Sequence, residues 1–207
     1  MNTNNNSFKQ KLIVMMPLLL ISLVCVLFIV FVHQLTKNKI TENRQRAALA
    51  IINDVMPINY DNDIYNDKIK VDVPAYINNT NSITAYRARS NNQPVAVSLM
   101  PVITKGYNGK ISLIIGIAYD GTLTGIRVIS DNETEGFGDQ IHQDKSDWIK
   151  GFNGHSIENT PEGKWAVKKD GGDFDQLSGA TITPRSVINV VYKVLAYYAE
   201  HRDKFFL

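Results

Sequence analysis

The chain has 207 residues and a formal net charge of +2, a length that allows one folded domain of ordinary size together with a membrane anchor. Lys9 and Lys11 are the only charged residues before position 33, so the part of the chain that follows has a formal net charge of zero. This balance gives no reason to expect a nucleic-acid partner. The single cysteine, Cys25, excludes an internal disulfide, a CxxC redox pair and a cysteine-ligated iron–sulfur cluster. The four histidines lack zinc spacing, so we expect no metal, and any redox chemistry requires an organic cofactor.

Residues 12–32 form an uncharged apolar run that follows a short amino-terminal tail, residues 1–11. At about 1.5 Å per residue the run is roughly 30 Å long as a helix, the thickness of the hydrocarbon layer of a bilayer. No small-x-small cleavage pattern follows it, so we predict an uncleaved single-pass anchor. Basic residues are more numerous after the span than before it, and this count by itself favours a cytoplasmic carboxy-terminal part.

Residues 33–93 are predicted to form a helix and a linker-like segment. Apolar residues recur at helical intervals over residues 39–56, where Thr41 is a candidate cap and Pro57 a terminator. Residues 59–92 are rich in Asn and Asp, which favours loops with brief strands such as residues 83–88.

Residues 94–207 are predicted to form the main domain. Strands are expected at residues 95–103, 111–119 and 122–130, and the Asp120-Gly121 pair is a strong hairpin signal between the last two. The region 139–163 is irregular, with a short helix near Trp148, and a further strand is expected at residues 165–169. A final helix, residues 184–204, has an apolar stripe formed by Val187, Val190, Val191, Val194, Leu195 and Tyr198. The pattern predicts an α+β fold, with helix packed on an antiparallel sheet.

Residues 173–184 combine a helix start with an exposed hydroxyl. Thr183 and Pro184 have the residue types of an N-cap and a first helical turn, and a helix amino end favours a phosphate. Gly179 and Ala180 leave the backbone open to close approach, and Thr181 presents a hydroxyl beside that site. From the residues alone, an ordinary loop that enters a capped helix is the favoured interpretation of the segment.

The stretch Asp175-Gln176-Leu177-Ser178-Gly179-Ala180-Thr181 resembles the flavinylation motif D-x-x-[ST]-G-A-T. The G subunit of the Rnf-type ion-translocating electron transport complex shares this motif with subunits of the sodium-translocating NADH:quinone reductase. The resemblance implies that FMN is covalently attached to Thr181 by a phosphoester bond, made by a flavin transferase with FAD as donor. It also implies that Asp175, Ser178, Gly179 and Ala180 are recognised by that transferase.

A second segment, residues 132–139, resembles the E-T-P-G-L-G-D loop that packs on the flavin in this family. It departs from the pattern at two positions, with Glu135 in place of Pro and Phe137 in place of Leu. The apolar face is kept, and an aromatic ring at this position can stack on the flavin. The residues that the resemblance places around the cofactor are Glu133, Thr134, Gly136, Phe137, Gly138, Leu177, Ser178, Gly179, Ala180 and Thr183.

The resemblance implies a single-pass flavoprotein of the bacterial inner membrane, with its domain on the periplasmic side, contrary to the basic-residue count. It would carry electrons as one subunit of an ion-translocating ferredoxin:NAD oxidoreductase-type complex, among other membrane and peripheral subunits. No residue is assigned as a catalytic acid or base, and stand-alone catalysis is not expected.

Two alternatives stay open at this point. The chain also resembles the C subunit of the sodium-translocating NADH:quinone reductase, although that subunit is usually longer. A non-catalytic, anchored extracytoplasmic binding module without flavin is the third possibility.

Overall fold

The computed structural model describes the backbone of residues 4–78 and 81–207, and side chains from Met15 onward within those ranges. The chain divides into two compact units, Met1–Ala47 and Ala48–Leu207. Residues 1–3 of the expected amino-terminal tail lie outside the described residues.

The first helix, α1, spans Asn4–Val55 and contains the expected anchor. Its segment Met15–Val55 is long and apolar enough to cross a membrane, by length and composition. The prediction of a separate helix that Thr41 caps is wrong, because no Gly or Pro interrupts residues 33–39 and the helix continues through them. The Thr41 hydroxyl lies inside the helix and donates to the carbonyl oxygen of Lys37 (3.0 Å). The helix ends two residues before Pro57, close to the predicted terminator.

The second unit contains a five-stranded antiparallel sheet in which the strands pair in chain order. The strands are β1 (Lys68–Asp72), β2 (Ser82–Ser90), β3 (Gln93–Lys105), β4 (Lys110–Ala118) and β5 (Leu123–Ser130). The predicted hairpin at Asp120-Gly121 is present, with Gly121 at a φ of +95°. β1 and β2 belong to the same sheet. They lie in the segment that was predicted to be linker-like because its turns are rich in Asn and Asp.

The carboxy-terminal helix, α2, spans Ile182–His201 and is followed by a 3₁₀ turn, Arg202–Phe205. Every residue of its predicted apolar stripe is buried. The stripe packs on one face of the sheet, together with the alternate β4 residues Leu113, Ile115 and Ile117. The resulting α+β architecture, with an antiparallel sheet and packed helices after an apolar amino-terminal helix, is the predicted fold class.

Residues Ile52, Val55 and Met56 pack against a different set of sheet residues, which includes Ile114 of β4. Ile114 alternates with the β4 residues beneath α2, so this second cluster lies on the opposite face of the sheet. The sheet is therefore covered on both faces within the second unit.

The region between the sheet and α2 contains short 3₁₀ turns, one of which, Trp148–Phe152, is the short helix predicted near Trp148. The strand predicted at residues 165–169 is wrong. Val167 makes only an isolated bridge to Phe174, and a 3₁₀ turn, Lys168–Asp170, follows at once. Gly171, with a φ of +88°, reverses the chain before a strand can extend.

Candidate functional site

A cavity of about 310 Å³ lies where three segments of the second unit meet. The segments are the turn between β3 and β4, the loop after β5, and the start of α2. Its walls are formed by Tyr107, Glu133, Thr134, Phe137, Gly138, Gly179, Ala180, Thr181, Ile182 and Thr183. The two segments singled out in the sequence, about 40 residues apart, therefore form one site.

Four of the predicted site residues do not line this cavity. Gly136 lies exposed in the loop, and Leu177 is buried in the core beneath α2. Ser178 borders a separate cavity, and Asp175 is exposed and forms an ion pair with Lys168 (2.6 Å). These four residues surround the site rather than form its wall.

The segment before α2 is a tight turn. The Ala180 amide donates to the carbonyl oxygen of Leu177 (3.2 Å), and Gly179 has a φ of +75° at the third position of the turn. A positive φ at that position favours glycine. A second constraint acts on the same residue, because a Cβ atom at Gly179 would lie 2.7 Å from Cε1 of Phe137. Glycine is required here both for the backbone conformation and for the approach of the aromatic ring.

Thr181 occupies the N-cap position of α2, and its side chain is exposed and makes no capping hydrogen bond. Its hydroxyl is therefore available for modification at the amino end of a helix, where backbone N–H groups favour an anion. A second cavity, of about 210 Å³, borders Thr181 on another side and includes Lys169 and Arg185. Positive side chains and a helix amino end thus both lie near this hydroxyl.

The prediction that Thr183 caps α2 is wrong. The helix starts one residue earlier, at Ile182, and Thr183 is fully buried in its first turn. The Thr183 hydroxyl donates to Oε2 of Glu133, so a partner 50 residues away takes the place of the local backbone N–H. Pro184 still lies in the first turn, where its missing N–H breaks no helical hydrogen bond.

The loop after β5 is fixed by two side chains. Nε2 of Gln140 donates to the carbonyl oxygens of Phe137 (3.1 Å) and Ser178 (3.3 Å), which joins the loop to the turn before α2. Oε1 of Glu133 accepts from the backbone N–H of Asn108 (3.0 Å), which joins the loop to the β3–β4 turn. The three walls of the cavity are therefore connected by hydrogen bonds.

Two cavity residues, Tyr107 and Ile182, were not predicted. Tyr107 is 71% exposed on the β3–β4 turn, and Ile182 is 48% exposed at the start of α2. An exposed aromatic residue between two glycines, in the sequence Gly106-Tyr107-Asn108-Gly109, was the available signal for the first. For Ile182 the sequence contained no signal except its position next to Thr181.

The cavity residues fit a planar aromatic cofactor with a phosphate. Tyr107, Phe137, Ile182 and Ala180 supply aromatic and apolar surface for a ring. Gly138 and Gly179 leave room for two other wall residues, because the Glu133 side chain packs against the first glycine and the Phe137 ring against the second. A phosphate on Thr181 would lie at the amino end of α2.

Comparisons with known proteins agree with this geometry. A sequence model described as the FMN-binding domain matches residues 106–196, and one described as the RnfG N-terminal region matches residues 16–55. The G subunit of an ion-translocating oxidoreductase complex from Pseudoalteromonas atlantica is 40% identical over 172 residues, which are 83% of this chain and 80% of the relative. The corresponding protein from Shewanella piezotolerans is 37% identical over 186 residues, 89% of this chain and 88% of the relative.

Among solved structures, the chain is similar to the C subunit of the Na⁺-translocating NADH-quinone reductase from Parabacteroides distasonis. The TM-score is 0.50 at 22% sequence identity, over 68% of this chain and 79% of that one. This likeness shows a shared fold. The two relatives are 37–40% identical to this chain over more than four fifths of its length, and the two family models match the apolar helix and the domain that contains the cavity. This chain therefore belongs to the family of G subunits of ion-translocating oxidoreductase complexes.

Proposed function

We propose that this protein is a membrane-anchored electron carrier, one subunit of an ion-translocating oxidoreductase complex, and that it holds FMN through a phosphoester bond to Thr181. The observation that carries the proposal is the position of the Thr181 hydroxyl. It is exposed, makes no capping hydrogen bond, and lies on the wall of a cavity lined with aromatic, apolar and glycine residues.

The bound flavin would supply the electron-transfer chemistry, and the residues of the chain would hold it in place. Tyr107 and Phe137 provide aromatic surface for the ring, and the amino end of α2 favours the phosphate. A covalent bond keeps the cofactor in a compartment that contains no pool of free FMN.

Attachment requires that a flavin transferase reach the acceptor. Asp175, Ser178, Gly179 and Thr181 are all exposed, so the recognition sequence is accessible on the folded domain. In the reaction, the Thr181 oxygen would form a bond to the flavin-side phosphorus of FAD, the pyrophosphate bond would break, and AMP would leave. The hydroxyl proton would pass to a base of the transferase.

The proposal places α1 across the bacterial inner membrane and the second unit on the periplasmic side, among other membrane and peripheral subunits of a ferredoxin:NAD oxidoreductase-type complex. The apolar segment of α1 and the names of the relatives support the membrane complex. A role as the C subunit of the quinone reductase receives no support beyond the shared fold.

The test is mass spectrometry of the tryptic peptide 170–185 from the full chain, produced together with the flavin transferase and purified from membranes. We expect this peptide to be heavier by FMN less one water, and the denatured protein to fluoresce under ultraviolet light in a gel. Thr181→Ala should remove both signals, and Thr181→Ser, which keeps a hydroxyl, should retain them at least in part. An unmodified peptide and a band without fluorescence in the wild type would reject the proposal. The non-catalytic binding module would then be the remaining alternative.

A further inference from the structure

The cavity contains one formal charge. Among the ten described residues that line it, Glu133 alone has an ionisable side chain that is charged at neutral pH. Among the ion pairs in the described part of the chain, none includes Glu133. A cofactor in this cavity would therefore lie beside a carboxylate without a cationic partner.

The carboxylate is held by donors on both oxygens. Oε2 accepts from the hydroxyl of Thr183, which is fully buried, and Oε1 accepts from the backbone N–H of Asn108 (3.0 Å). Both partners donate, so both carboxylate oxygens act as acceptors. The charge is thus fixed in position relative to α2 and to the β3–β4 turn.

Two glycines show how closely the side chain is enclosed. A Cβ atom at Gly138 would lie 3.0 Å from Cβ of Glu133, and one at Gly106 would lie 2.9 Å from its Cδ. The side chain lies close to both backbones, which restricts its movement. Such a fixed charge acts on a neighbouring group more strongly than a mobile surface charge does, because solvent reorganises less around it.

We propose that Glu133 sets the reduction potential of the flavin, by placing one fixed negative charge beside the ring. This inference rests on the proposed function. Reduction adds electrons, and the reduced ring carries negative charge above neutral pH, so a neighbouring carboxylate disfavours the reduced form. Glu133 thereby lowers the midpoint potential. Thr183 and Asn108, which donate to the carboxylate, limit the size of that effect.

The test is a spectroelectrochemical titration of the flavin at pH 8 in the full chain, made together with the flavin transferase and purified in detergent. Glu133→Gln keeps the size of the side chain and removes its charge. We expect the ratio of reduced to oxidised flavin at a fixed potential to rise by about tenfold, the effect of one charge at roughly 10 Å and an effective dielectric constant of about 20. The midpoint potential therefore shifts upward.

Two further variants make the result specific. Glu135→Gln removes a charge from the same loop, but the Glu135 side chain is 90% exposed and does not line the cavity, so the potential should stay at the wild-type value. Thr183→Val removes one donor from the carboxylate and leaves more of its charge unbalanced. Its midpoint potential should therefore shift downward, opposite in sign to Glu133→Gln.

The outcomes separate the two proposals. A wild type without attached flavin rejects the proposed function itself. An attached flavin whose potential is the same in wild type and Glu133→Gln rejects the role of Glu133, and so does an equal shift in Glu135→Gln. If Glu133→Gln carries no flavin, Thr183→Val decides, because an unchanged or raised potential in that variant contradicts the inference.

Discussion

The aromatic ring of Phe137 lies against the α-carbon of Gly179, so closely that a Cβ atom at position 179 would be 2.7 Å from Cε1 of the ring. This contact joins the loop after β5 to the turn before α2, and Gln140 bonds to the carbonyl oxygens of Phe137 and Ser178 beside it. The geometry of the Thr181 hydroxyl therefore depends on a residue 44 positions earlier in the chain.

Gly179→Ala should destabilise the domain and impair flavin attachment. The substitution places a non-glycine residue in a left-handed backbone conformation, which costs about 1–3 kcal/mol, and the added Cβ atom also displaces Phe137. The measurements are thermal unfolding of the detergent-solubilised chain and the intensity of the fluorescent band in a gel.

Gly154→Ala is the matched control. Gly154 has a φ of +84°, and a Cβ atom added there would meet no neighbour within 4 Å, so this variant carries the backbone cost without the clash. We expect it to lower stability while flavin attachment stays at the wild-type level. Equal loss of attachment in both variants would show that the contact with Phe137 has no special role.

Tyr107→Ala should loosen the flavin ring without releasing the cofactor. Tyr107 lines the cavity from the β3–β4 turn and is 71% exposed, so its removal costs the fold little. Loss of one aromatic contact weakens ring binding by about 0.5–1.5 kcal/mol, and fluorescence of the native, covalently attached flavin should rise because tyrosine quenches it on contact. Tyr76→Ala, at a 63% exposed position outside the cavity, should leave the fluorescence unchanged.

Asp170→Asn should reduce the loss of stability that the protein shows as the pH falls into the acid range. Arg185 donates two hydrogen bonds to the Asp170 carboxylate, from Nε (2.6 Å) and Nη2 (2.8 Å). These bonds hold the pKa of Asp170 below its ordinary value. A folded-state pKa below the unfolded value of about 3.9 stabilises the protein above that pH, and the stabilisation is lost as the pH falls through the folded value.

Melting temperatures measured between pH 7 and pH 2.5 test this prediction. The variant should melt lower than the wild type near neutral pH, and the difference should vanish in acid. Asp173→Asn serves as the control, because the Asp173 carboxylate lies farther from its cationic partner, Lys164 (3.6 Å). A difference between wild type and Asp170→Asn that is constant across the pH range would contradict the linkage.

Gly125→Ala should destabilise the contact between the sheet and the end of α1. A Cβ atom there would lie 2.8 Å from the carbonyl oxygen of Val55 and 2.9 Å from its Cα. Backbone atoms cannot avoid such a clash by a change of rotamer, as a side chain can. We expect a cost of about 1–3 kcal/mol in denaturant unfolding. Gly163→Ala, which meets no neighbour within 4 Å, should cost much less.

Local patterns in the sequence were enough to predict the hairpin between β4 and β5 and the helix α2. The pair Asp120-Gly121 lies between two β-rich runs, and the stripe that includes Val187 and Val191 repeats at helical intervals. These signals are local, and the structure confirms them. By contrast, β1 is a short run within a polar segment and was not predicted, and it is a strand only through its pairing with β2. β2 extends the brief strand that was expected at residues 83–88, and it pairs with β3.

The candidate site was predicted through resemblance rather than through local rules. A local rule assigned Thr183 to a helix cap, whereas its partner is Glu133, a contact between distant parts of the chain that spacing does not reveal. Tyr107 was missed because the two glycines beside it indicate a turn but do not reveal which distant segments that turn contacts. The attachment of flavin to Thr181 stays a prediction.

The sequential order of the strands has a consequence for how this protein matures. Each strand pairs with its neighbour in the chain, so the sheet can form one hairpin at a time, starting from its amino-terminal strand. Thr181, the proposed acceptor, follows all five strands in the chain and packs beside the loop after β5, which precedes it. A modifying enzyme that recognises the docked arrangement would act on finished domains, so that loading with cofactor also serves as a check on folding.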